Sequence, residues 1–231
     1  MTLASFRLIA GLALACLLAG PAAAQGPVSA DRANAVLRDV PVFIPMDSAG
    51  TPVVATPPDG GKPVVGLFLR KAGAVSFVAN LRQSRPEIAR RVVIRAASLG
   101  NALRMLGAGQ GVQYTYVPDP AEVTAARQLL ASQGKPAEVP GVPVFLAKTA
   151  DGGYLTLNLG GRTSVPAFLS LRDLEAFRER YRQSGSPGVR ETGVEVSSLE
   201  VLIHLMNTSN DPLLAEMDIV PGTRAVAEAK P

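Results

Sequence analysis

The sequence predicts an α+β protein built from two pseudo-symmetric halves, each running β-β-β-α-β-α-β. Three observations predict it. Residues 61–106 align without a gap onto residues 161–206, an offset of 100. Val65, Phe68, Leu69, Phe77, Arg82, Gln83, Ser84, Ser98 and Leu99 recur as Val165, Phe168, Leu169, Phe177, Arg182, Gln183, Ser184, Ser198 and Leu199. Apolar positions alone could match by chance; shared Arg-Gln-Ser and Ser-Leu punctuation in one register points to a duplication, and its period is too long for a solenoid unit. The flanks agree as well: Val40-Pro41-Val42-Phe43 returns as Val142-Pro143-Val144-Phe145, and Val117-Pro118 as Val220-Pro221.

The elements follow in order. Residues 1–24 read as a signal peptide. Arg7 is their only charge, an apolar run extends from Leu8 to Gly20, and Ala22-Ala23-Ala24 supplies the small residues that cleavage requires. The run is shorter than the ~20 residues of a spanning helix. Leu17 and Leu18 continue it past Cys16, which favours cleavage after Ala24 over acylation of that cysteine. An amino-terminal helix is expected within residues 25–39, the first half at 40–118, a linking helix at 119–140, the second half at 141–222 and a tail at 223–231 with a frayed end.

In the second half, residues 144–148 and 154–159 read as strands joined through Asp151-Gly152-Gly153, a turn chemistry suited to a hairpin. Leu155, Leu157 and Leu159 alternate with polar residues, which predicts one buried face. After a third strand at 165–169, Ser170 caps a helix whose apolar stripe is Leu171, Leu174, Phe177 and Tyr181. Ala74, Phe77, Val78 and Leu81 do the same in the first half. A short strand, a helix capped by Ser98 or Ser198, and a strand ending in Val-Pro complete each copy. Asp119-Pro120 starts the linking helix, which ends before Gly134.

Composition narrows function. One Cys lies inside the presumed signal and there is one His, so thiol catalysis, disulfides, thiolate metal sites and a multi-histidine zinc site are excluded for the mature chain, and no cofactor is expected. A net charge of +4, reduced by one without Arg7, is too modest to imply nucleic acid. His204 has Arg104 as its counterpart in the other copy, which makes it a solvent-facing polar position. Gly107-Ala108-Gly109-Gln110-Gly111 follows a helix and reads as its C-cap, not a phosphate loop. Asn207-Thr208-Ser209 reads as a helix end. Asp47, Asp59, Asp151, Asp211 and Glu195 are the carboxylates a carboxylate-only enzyme would use, although the first three occur where turns favour Asp.

Two interaction signals remain. Charged residues are only 18% of the chain, so apolar grooves are expected to stay open. Arg82, Arg85, Arg90, Arg91 and Arg95 face Glu87 alone and form a candidate docking patch for an acidic partner, an anionic lipid surface or membrane-associated machinery.

The order Val142-Pro143-Val144-Phe145, hairpin, Val165-Pro166-Ala167-Phe168-Leu169-Ser170, Leu174-Glu175-Ala176-Phe177, and Val196-Ser197-Ser198-Leu199-Glu200 resembles the Tic22-like family. Val117-Pro118-Asp119-Pro120 and Ile219-Val220-Pro221 fit the same pattern, which covers most of residues 40–222. The resemblance implies two α+β halves with non-polar grooves, no enzymatic activity, and chaperone-like binding of unfolded or precursor proteins in transit. The secretory signal, in place of a plastid transit peptide, implies a periplasmic location. A docking module for a membrane-bound partner and a carboxylate-only enzyme are the alternatives.

Overall fold

The computed structural model describes residues 35–56, 60–107, 112–139, 141–184 and 191–230. The presumed signal peptide lies outside them, as do Asp59 and residues 108–111 of the glycine-rich loop.

The first half contains β1 (Pro41–Met46), β2 (Val54–Ala55), β3 (Val64–Phe68), α1 (Lys71–Ser84), the short α2 (Pro86–Ala89), β4 (Val93–Ser98), α3 (Leu99–Gly107) and β5 (Gln113–Val117). The linking helix is α4 (Pro120–Ser132). The second half contains β6 (Pro143–Thr149), β7 (Leu157–Leu159), β8 (Arg162–Phe168), α5 (Leu171–Gln183), β9 (Glu191–Ser198), α6 (Leu199–Thr208), the short α7 (Pro212–Glu216) and β10 (Met217–Val220). A last helix, α8 (Thr223–Ala229), follows.

Both halves form one sheet of the same design. The central strand, β1 or β6, pairs antiparallel with an edge strand, β4 or β9, and with β3 or β8 on its other side; β5 or β10 then adds parallel to β3 or β8. The duplication reaches individual pairs: Phe43 faces Phe68 in one sheet and Phe145 faces Phe168 in the other.

Successive side chains of a strand point to opposite faces, and both faces here are covered. Val42, Ile44 and Met46 of β1 join Val144 and Leu146 of β6 in one central cluster shared by the halves. Leu99 and Ala102 of α3, Leu199, Leu202 and Met206 of α6, and Val36 and Leu37 of the helical turn at residues 35–37 belong to it as well. Phe43 and Phe145 point the other way, into two separate outer clusters under α1 and α5. This two-sided burial explains why β1 and β6 read as nearly unbroken apolar runs.

The predicted caps are present. Ser98, Ser170 and Ser198 accept hydrogen bonds from the amides of Asn101, Asp173 and Val201 at 3.3, 3.4 and 3.2 Å. Asp119 does the same for Ala121 at 3.0 Å, with Pro120 in the first turn of α4. One strand pairing differs from the sequence reading. Residues 154–159 do not form a continuous hairpin with β6; they make a single bridge at Lys148 and Tyr154, after which β7 pairs with β8. Gly160 and Gly161, at φ +61° and +88°, form the tight turn that joins them. Leu155 is therefore buried, Leu157 half-buried and Leu159 exposed.

The sequence also did not reveal α8. The two interhalf helices are exchanged: α4 leaves the first half and packs Ala126 and Leu129 against the outer cluster of the second. Helix α8 leaves the second half and packs Ala229 against Phe43, Phe68 and Ala74 of the first.

Candidate functional site

The exchanged helices differ in length, and that difference opens a site. Helix α4 has 13 residues and α8 has 7. Under α4, Phe145, Leu155, Phe168, Leu174, Phe177 and Val194 on the outer face of the second sheet are all buried. Beneath the shorter α8 the outer cluster of the first sheet keeps only Phe43, Phe68 and Ala74 buried, with Phe77 and Ile94 half-buried.

Strand chemistry widens the difference. Register places Gly66 beside Thr115 in the first sheet where the second has Pro166 beside Asp218. Asp218 accepts hydrogen bonds from Arg162 and Ser164, both at 2.6 Å, across the second sheet. Among the described residues its counterpart, Thr115, makes no such side-chain bond. Gly66, Phe68, Phe77, Val64, Val117 and Pro45 line a cavity of about 270 Å³ on the first sheet's outer face. A Cβ at Gly66 would sit 2.8 Å from the Phe68 ring, so glycine lets that ring approach the strand closely. The cavity runs on, past Val53, Ala55 and Phe77, into an open groove bordered by Val54, Leu81, Arg85 and Ile88. Val54 and Ile88 are 42% and 44% exposed, so apolar surface continues to the rim.

A small cavity of about 50 Å³ lies where the halves meet, lined by paired positions including Val40 and Val142, Leu69 and Leu169, Arg70 and Ser170. It is too small for a polypeptide and is flanked by a clasp. Arg70 donates to Glu228 from Nε and Nη2 at 3.1 and 2.7 Å, and to Asp119 from Nη1 at 2.7 Å. The hydrogen bond that Glu228 accepts is the chief cause, opposed by burial, that raises the guanidinium's proton affinity, and Arg70 in turn lowers the Glu228 pKa. Glu228 also caps α1 by accepting from the Lys71 amide at 3.0 Å, and Glu122 of α4 caps α5 by accepting from Leu171 at 2.9 Å. Each exchanged helix thus supplies a carboxylate to the positive end of the long helix it packs beside.

All five arginines of the sequence-predicted patch are exposed. Arg82 and Arg85 end α1 on the outer side; Arg90 and Arg91 occupy the turn after α2. Arg95 projects from the opposite face of β4, in register with Ile44. The five therefore wrap the end of an edge strand and do not share one plane. Arg90 makes a 3.3 Å ion pair with Glu87, both largely exposed.

The remaining candidates have local roles. His204 is exposed, and its backbone carbonyl accepts from Thr208 at 2.8 Å while Asn207 bonds back to Ile203, as at an ordinary helix end. Asp47 closes its own turn through the Ala49 and Thr51 amides at 2.9 and 2.8 Å, and Asp211 caps α7 at Leu213. Asp151 bonds the Thr149 hydroxyl and the Gly153 amide, and the hydroxyl chiefly lowers its pKa. Glu195 pairs with Lys148 at 3.1 Å and with the Tyr154 hydroxyl at 2.9 Å. Burial first, then Glu195, pushes Tyr154 up to about 12. Among the described residues no group of three or more His, Cys, Asp or Glu is placed to hold a metal ion.

Sequence reading missed Gly66, Thr115 and Val54 as groove residues. The one available signal was their contrast with the aligned copy, above all glycine against proline at Gly66 and Pro166.

Comparison with known proteins gives one consistent answer. The model of the Tic22-like family matches residues 15–230. Protein TIC 22, chloroplastic, of Arabidopsis thaliana is 27% identical over 157 residues, covering 68% of this chain and 54% of the plant protein, so the chain spans about half that relative's length. The solved structure of Anabaena Tic22, described as protein transport, superposes with a TM-score of 0.71 at 21% identity over 88% of this chain and 98% of its own. Tic22 from Plasmodium falciparum gives 0.66 at 20% identity, covering 84% and 94%. At these identities the two structures establish a shared fold.

Proposed function

The chain belongs to the Tic22-like family, and from that footing we propose that it is an exported, periplasmic carrier that binds non-native or precursor polypeptides in transit and catalyses no reaction. The observation that carries this reading is the open apolar groove on the outer face of the first sheet. Among the described residues the corresponding cluster of the second sheet is buried. A surface lined by Phe68, Phe77, Val54 and Ile88, continuous from a cavity to the rim, suits extended apolar segments of varied sequence. The described Anabaena relative supports a transport role. Arg7, the apolar run behind it and Ala22-Ala23-Ala24 support export through a cleaved signal, with 40–118 and 141–222 as the duplicated halves.

The test is suppression of aggregation of a urea-unfolded outer-membrane β-barrel protein on dilution. Stoichiometric chain should keep it soluble, and Ala55→Glu, which puts a charge at an exposed position lining both parts of the groove, should remove most of that effect while leaving the fold intact. Absence of suppression by the unaltered chain at several-fold excess would overturn the reading.

A further inference from the structure

The two sheets each present an edge strand, and among the described residues one of these edges carries a side-chain hydrogen bond that the other lacks. Leu99 and Leu199 donate their amides to Val40 and Val142, at 2.7 and 2.8 Å. Because amide and carbonyl directions alternate along an antiparallel strand, Ile94 and Ala96 of β4, like Val194 and Val196 of β9, turn their backbone groups outward. In β9 the Val194 carbonyl accepts a 2.7 Å hydrogen bond from Gln133 Nε2, at the end of the exchanged helix α4. No described residue of α8 does the same for β4. Among the described residues nothing bonds to the outward groups of Ile94 or Ala96.

An open edge of this kind can accept another strand, and its charge decides which strand. Arg91 and Arg95 are exposed at and beside β4, and among the described residues neither has a carboxylate partner. Val93, on the same face as Arg95, is 46% exposed. Arginines here repel a second copy of the same edge and attract carboxylates. The opposite edge of this sheet, β5, carries no charge in Gln113–Val117 and so offers no such selection.

The geometry points to β4 as a strand-addition site for an extended acidic segment of a bound polypeptide, whose backbone pairs with Ile94 and Ala96 while its carboxylates meet Arg91 and Arg95. This rests on the carrier reading and specifies how a client is held at the groove's border.

The experiment measures anisotropy of a labelled nine-residue peptide alternating valine and glutamate, added to the full chain. Tight, salt-sensitive binding is expected. N-methylation of every second amide along the pairing edge should weaken it at least 10-fold, as should Arg91→Glu with Arg95→Glu, and a valine-lysine peptide should recover binding to that double variant. Equal binding of the N-methylated peptide overturns strand addition. So does arginine-dependent binding to phosphatidylglycerol vesicles with no binding of the acidic peptide. Aggregation suppression that persists without peptide binding overturns this site and leaves the carrier reading standing; peptide binding without suppression overturns the carrier reading alone.

Discussion

Arg70 holds Glu228 through two parallel hydrogen bonds, Nε to Oε2 and Nη2 to Oε1, across 158 residues of chain. One side chain thereby fixes the last helix against the first sheet while also gripping Asp119 at the start of the helix going the other way. Both partners are partly buried, at 19% and 27% side-chain exposure, so the pair is shielded from solvent more than a surface ion pair.

Arg70→Ala should therefore detach α8 before it unfolds the molecule. The expected loss is about 2 kcal/mol of stability, on the scale of a partly buried charged hydrogen-bond pair. Amide exchange at residues 223–229 should accelerate at least 10-fold while the second sheet's amides stay protected, a pattern read directly by hydrogen-exchange mass spectrometry. Uniform acceleration across both sheets would show that the clasp is not local.

Acid should imitate that substitution. The Arg70 hydrogen bond holds the Glu228 carboxyl below its ordinary 4.5, so the ionised form favours the folded state. Its contribution is complete above 4.5 and is lost as pH falls through the lowered value. Glu200 has the opposite sign: burial holds its carboxyl above 4.5, so its contribution is complete below 4.5 and declines as pH rises through the raised value. Acidification should thus loosen α8 selectively. In Glu228→Gln the exchange of residues 223–229 should already be fast at neutral pH and lose its acid dependence.

Phe77→Ala and Phe177→Ala, though related by the duplication, should differ in cost. Phe177 is 7% exposed and packs its ring 5.3 Å from Phe168, so its loss should cost about 3–4 kcal/mol in chemical denaturation. Phe77 is half-buried on the groove wall, and its loss should cost about 1–2 kcal/mol. Equal costs would mean that the groove is packed shut in solution.

Gly141 supplies a sharper backbone test. It has φ +79°, and a Cβ there would meet the Glu200 carboxylate at 2.4 Å or less, the group that accepts from the Val142 amide at 3.0 Å. Gly141→Ala should swing the flexible Glu200 carboxylate away and forfeit its bond to the Val142 amide, for a total cost of about 2 kcal/mol, against about 1 kcal/mol for Gly134→Ala, where φ is +67° but the space is open. The difference between the two melting shifts separates the loss of the Glu200–Val142 hydrogen bond from the shared backbone strain.

How much of this was legible in the sequence depends on the range of each interaction. Ser170, Ser198 and Asp119 act within three residues of themselves, so their caps could be read directly. Aligned phenylalanines and Ser-Leu pairs were enough to predict two matching α+β halves, whereas the register of their sheets came from the structure. Helix α8 was not legible because its seven residues carry weak local preference and fold against Phe43 and Arg70, far away in sequence. The arginines could be listed, but that Arg95 projects from the face opposite Arg82 and Arg85 followed only from its register with Ile44. The groove was anticipated as an apolar surplus, and locating it required seeing Gly66 stand where the other copy has Pro166.

The exchange of α4 and α8 has a consequence for the order of events during folding. Neither sheet can cover its outer face with helices from its own half alone, and the first waits for residues near 228 to arrive. Contacts at such separation close slowly, because loop entropy is lost before any contact repays it. The newly made chain should therefore remain threadable until nearly all of it has emerged, and cutting between the halves should yield two fragments that fold only when mixed.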